Sequence, residues 1–98
     1  MDNNLIVSSY SLLLLVAYSD GKFNELEKNI IDDIIMDFFS IDSKEIQLIK
    51  NKSLSLIKNN KTILKYSKVL NQEFSYIEKI DFIKCIYEVA FIDKNLDY

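Results

Sequence analysis

Oxygen donors are the only chemistry this chain concentrates. Asp20, Gly21, Asn24, Glu25 and Glu27 crowd one short polar stretch, and Asp93, Asn95 and Asp97 crowd another at the far end. There is no histidine, which removes the usual general base, the usual zinc nitrogen ligand and any Ser-His or Cys-His nucleophile pair. The single cysteine, Cys85, cannot form an internal disulfide and falls within an apolar helical pattern, where it reads as a small buried hydrophobe. Carboxylates and amides without imidazole or a second thiol suit hard cations, calcium or magnesium, and little else. Paired-carboxylate hydrolysis would use the same side chains, but no helper residue accompanies them, so the expectation is a protein that is not an enzyme.

The two polar stretches are related. Val89-Ala90-Phe91-Ile92-Asp93 repeats Val16-Ala17-Tyr18-Ser19-Asp20 at a constant offset, with Leu96 answering Phe23 and Asp97 answering Asn24. If the helices leading into them lie side by side, the two corners meet and offer enough oxygens for one ion. The run Asp93-Lys94-Asn95-Leu96-Asp97 also matches the first five positions of an EF-hand loop, but Tyr98 stands where the glycine is needed and no closing Glu follows. Helix punctuation explains the same residues without a metal. Asn24 with Glu27 has capping-box spacing, Asp20 can close its own turn, and acids at helix starts answer the helix dipole.

The elements that must hold these corners are helices. The chain has 98 residues, no proline, one glycine, 49 % hydrophobic and 28 % charged residues, an ordinary globular balance in which a core can form without staples. Apolar residues recur near a period of 3.6 with no strand alternation. The expected fold is all-α, a single compact bundle of about five helices over residues 1–98, built from two related helix-corner-helix halves. A first helix, about Leu5 to Ser19, is apolar nearly all round from Leu12 to Tyr18 and should be central. Gly21, the only glycine, suits the stop that follows.

Start signals place the rest. Asn24 with Glu27 opens a second helix with Leu26, Ile30, Ile31, Ile34, Ile35, Phe38 and Phe39 inward and Asp32, Asp33 and Asp37 toward water. Asp42 with Glu45 opens a third, to about Lys58, burying Ile46, Ile49, Leu54 and Ile57. Asn60 caps a shorter fourth with Ile63, Tyr66, Ser67 and Leu70 on one side. Ser75 with Glu78 opens a fifth, about Tyr76 to Ile92, whose expected stripe is Ile80, Ile83, Ile86, Tyr87 and Ala90.

Charge is segregated along the chain. Residues 1–43 carry eight acidic and two basic side chains, whereas residues 44–68 carry seven lysines against Glu45 alone. The lysine segment, Lys50 included, reads as a solvated face or as a surface for an acidic partner. Nucleic acid is not expected, because there is no arginine and only Tyr66 lies among the lysines. The apolar run from Leu5 to Tyr18 is too short to span a membrane, and Met1-Asp2-Asn3-Asn4 lacks the basic leader of a signal peptide, so a cytoplasmic location is expected. Two sequons, at Asn51 and Asn60, are chance matches in a chain rich in Asn, Lys and Ile.

The phrase VAYSDGKFNELE, an apolar run, Asp-Gly, and a Glu seven residues after the Asp, resembles the motif of TerB-like domains, found in tellurite-resistance protein TerB and in membrane-anchored DnaJ-like co-chaperones. VAFIDKNLD is similar to its second copy. The resemblance implies an all-α domain of two related halves, a bacterial stress or tellurite-resistance context, protein partners, and acidic residues that bind a divalent cation. Carried over, Asp20 and Glu27 match the first motif and Asp93 the second. Lys94 replaces the second glycine, and the position of a second Glu lies past Tyr98. The family's closing helix is also missing from this sequence, which implies an uncovered apolar surface and a route to homodimers. An acidic helical inhibitor or immunity-type protein, with purely structural corners, is the alternative.

Overall fold

The computed structural model describes residues 3–18, 25–59 and 63–91, with side chains for all of these except 25–27. Within them lie five helices: α1 (Asn3–Tyr18), α2 (Glu25–Phe39), α3 (Ser43–Asn59), α4 (Ile63–Glu73) and α5 (Tyr76–Ala90). No strand occurs among the described residues. The all-α expectation therefore holds, and the bounds expected for α1, α3 and α5 fall within two residues of those observed.

α1 is the axle. Every residue from Leu5 to Leu15 is buried, and so is Ala17. A helix apolar or small on all sides can be buried on all sides, and α2, α3, α4 and α5 all pack against this one. Buried hydroxyls at this helix bond to its backbone carbonyls from within α1 and from α3. Ser9 Oγ donates to the Leu5 carbonyl at 2.8 Å, and Ser53 Oγ of α3 donates to the Val7 carbonyl at 3.3 Å. Ser11 Oγ is buried with no hydrogen-bond partner among the described residues.

The start and stop signals work as local chemistry requires. Asp42 Oδ1 accepts the Glu45 amide at 2.9 Å at the head of α3. Ser75 and Glu78 form a complete capping box at the head of α5, with bonds of 3.2 and 2.8 Å. α2 ends where Ser40 turns left-handed, at φ 56°, and the Ile41 amide reaches back to the Met36 carbonyl at 3.1 Å. That is the Schellman closure, here made without glycine. The proposed caps at Asn24 and Asn60 lie outside the described residues, as does Gly21.

Inner faces follow the expected pattern in α2 and α3, where Ile31, Ile35, Phe39, Ile46, Ile49 and Ile57 are buried. α4 buries Tyr66 and Leu70 but turns Ile63 outward. In α5 the expected stripe holds only at Ile86, which packs against the core, and at half-buried Ala90. Ile80, Ile83 and Tyr87 are exposed, and the helix instead buries Phe82 and Val89. The cause is an aromatic cluster: Phe82 lies 5.5 Å from both Phe38 and Phe74, ring centre to ring centre, and Phe38 lies 5.1 Å from Phe39. Joining that cluster fixes the rotation of α5 about its axis, because each aromatic buries more apolar area than an isoleucine on the opposite face would.

Candidate functional site

The expected cation chemistry rests on the corner residues Asp20, Glu27 and Asp93. Asp20 and Asp93 lie outside the described residues, and Glu27 lies in the first turn of α2 with its side chain outside them. What the structure does fix is the set of helices that lead there. α1 runs toward Asp20, α5 runs toward Asp93, and α5 packs on both α1 and α2. Among the described residues, no three His, Cys, Asp or Glu side chains come together as a cation site would require.

A polar network that sequence reasoning missed joins three helices. The hydroxyl of Tyr10, fully buried in α1, donates to Asp32 Oδ1 of α2 at 2.5 Å. Asp32 Oδ2 receives Lys50 Nζ of α3 at 2.8 Å, and the two charged side chains are only 13 % and 20 % exposed. Asp32 therefore does not face water as expected, and Lys50 is not part of a solvated lysine face, whereas Asp33 and Asp37 are exposed. Burial first, then the bond to Asp32 and its charge, pushes the Tyr10 phenol far above the ordinary tyrosine range. The phenol stays a neutral donor. One largely buried carboxylate answered by a hydroxyl on one oxygen and a cation on the other is a structural bridge between three helices.

Cys85 lines a shallow cleft with Asp33, Asp37 and Glu88, between α2 and α5. Burial, then the negative charges of Glu88, Asp81 and Asp37, pushes its thiol up. Such a thiol is a poor nucleophile at neutral pH.

An apolar concave feature lies on the other side of α5. α4 and α5 are joined through Phe74 and Ser75 alone, yet they do not pack closely on each other. Between them opens a groove of about 410 Å³ floored by Leu12, Leu70, Phe74 and Phe82. Its banks carry Leu64, 61 % exposed, and Ile83, 50 % exposed. Beyond the groove, Tyr76, Ile77 and Tyr87 continue the exposed apolar surface along α5. No helix among the described residues is long and apolar enough to cross a membrane.

Comparison with protein families gives a match to the model described as tellurite resistance protein TerB over residues 7–98, nearly the whole chain. No match was found among curated proteins or among solved structures.

Proposed function

Because the chain belongs to the family of tellurite resistance protein TerB, we propose that it is a small non-catalytic helical module that works by binding a protein partner. The observation that carries this is the outer surface of α4 and α5, where Leu64, Tyr76, Ile77, Ile83 and Tyr87 are each at least half exposed. Large apolar side chains left exposed around a groove are characteristic of interaction sites. The family match is compatible with a bacterial stress or tellurite-resistance role, and a cytoplasmic location is part of the same proposal.

The oxygen-rich corners supply the second half of the proposal, a calcium or magnesium ion held by Asp20, Glu27 and Asp93. Carboxylates are the donors such ions take. A cation that binds only the folded state must raise its stability, by about 2.7 kcal/mol at a hundredfold excess over Kd. The test is the melting temperature of the purified protein with added calcium or magnesium, beside Asp20→Ala. An upward shift in the native protein that Asp20→Ala abolishes supports the ion. Equal curves for both proteins at millimolar cation remove it and leave the corners as caps.

A second reading, an inhibitor or immunity-type protein, is favoured by the charge segregation alone. Its partner would be held by screened charges and displaced by salt. Affinity capture from source cells separates the two, since tellurite-resistance or chaperone components on the bait support the module reading.

A further inference from the structure

We propose that the groove between α4 and α5 is the docking site for an acidic amphipathic helix of a partner protein. The proposal rests on the reading of the chain as a binding module and gives that module a surface and its partner a chemistry. The geometry supplies the first argument. On the α4 bank stand Leu64, Lys68 and Asn71, and on the α5 bank stand Lys79, Ile83 and Ile86. Each bank is a row at helical spacings of three and four residues, so the groove has the ridged walls into which another helix packs its own ridges. α4, at eleven residues, is about 16 Å long, and an occupant of about three turns fills that length.

Charge supplies the second argument and selects the occupant. The molecule is acidic overall, with a formal net charge of −3, yet the groove lining contains two lysines and no carboxylate. One lysine stands on each bank, and neither Lys68 nor Lys79 has an ion-pair partner among the described residues. An apolar trough edged on both sides by unanswered ammonium groups is complementary to a helix whose apolar stripe is edged by Asp or Glu.

A second copy of this chain fits poorly. The apolar face it would offer, Ile80, Ile83 and Tyr87 of its own α5, is edged by Lys79 and Lys84, so the contact would set lysine against lysine. A concave trough also suits a rod better than a flat anionic membrane.

The experiment is a display selection against the full-length protein, using a library of sixteen-residue amphipathic helices with a randomised apolar stripe and flanks randomised among Glu, Lys, Gln and Ser. Enriched clones should carry Glu on both flanks. One enriched helix, synthesised with a fluorophore, should bind with a Kd at least tenfold weaker to Leu64→Glu or Ile83→Glu. Both sites are half exposed or more, so the variants keep the fold. Lys68→Glu with Lys79→Glu should weaken the same helix roughly five- to tenfold and flatten its salt dependence.

Lack of enrichment, enrichment of uncharged or basic flanks, or equal binding to the Glu variants overturns the proposal. So does a concentration-dependent dimer in sedimentation that Ile83→Glu dissolves, which would assign the groove to a second copy. Binding to phosphatidylserine vesicles that the lysine variants abolish, without peptide enrichment, assigns it to a membrane and equally overturns it. Capture from source cells separates this from failure of the module reading. A stoichiometric partner recovered equally by the native protein and by Leu64→Glu sinks the groove alone, whereas no partner at all sinks both.

Discussion

Tyr10 anchors the buried polar network that ties α1 to α2 and α3. Its side chain is fully buried, and its hydroxyl donates to a carboxylate that Lys50 also holds. Removing the hydroxyl in Tyr10→Phe should cost about 1 to 2 kcal/mol at neutral pH, because Asp32 keeps its lysine and loses one charge-assisted bond. The alkaline limb should change as well. The folded phenol titrates far above the unfolded one, so above about pH 10 the unfolded state sheds a proton that the folded state keeps, and stability falls by up to about 1.4 kcal/mol per pH unit. Tyr66 is raised by burial too, so Tyr10→Phe should reduce that slope by one proton without abolishing it. Urea unfolding from pH 8 to 11 measures this, and an unchanged alkaline slope would contradict it. The network was legible in one respect: a tyrosine buried in the central helix must find a partner for its hydroxyl. Which partner was not legible, since Asp32 and Lys50 lie far away in sequence and carry no spacing signature. The expected cation residues, by contrast, are plain in the sequence as a repeated motif, while Asp20 and Asp93 fall outside the described residues.

At the scale of elements, helix ends could be read from the sequence because they are set by neighbours. Asp42, Ser75 and Glu78 bond the amides of residues three positions away, and no tertiary context is needed for that. Helix faces depend on how many apolar choices a helix offers. α2 alternates its isoleucines and phenylalanines with acids, and one face follows. α5 is apolar at Ile77, Ile80, Phe82, Ile83, Ile86, Tyr87 and Val89, so periodicity supports more than one rotation and the cluster around Phe38 and Phe74 decides between them. Phe74, in the short link before α5, belongs to no helical stripe at all. The rotation is testable. Phe82→Ala should cost about 3 to 5 kcal/mol, whereas Ile83→Ala, one residue on, should stay within about 0.5 kcal/mol of the native protein. Comparable losses at the two positions, or a larger loss at Ile83, would mean that α5 sits in the other register.

Across the whole molecule, stability should be graded by how many other helices each helix packs against. α1 is sealed on every side by α2, α3, α4 and α5, so its amides can exchange with solvent only when the entire bundle opens. α2 and α3 pack on each other as well as on α1, and α5 packs on α1 and α2. α4 is different, because its close packing is with α1, and the groove separates it from the helix that follows it in sequence. With Tyr66 and Leu70 as its fully buried anchors, α4 can detach while the other four helices keep their mutual contacts. Native-state hydrogen exchange should then show α1 amides at the global unfolding free energy, with α4 amides exchanging through a smaller, sub-global opening. In low denaturant the α4 values should stay nearly flat while those of α1 fall with the global slope, because a local opening exposes little surface. A common free energy and a common slope for α1 and α4 would instead make the bundle a single cooperative unit. The grading bears on binding, because a helix seated between α4 and α5 would tie α4 to a second element. Saturating the protein with an enriched acidic helix should therefore slow α4 exchange more than α3 exchange, since α3 forms no part of the groove and gains only through the global term.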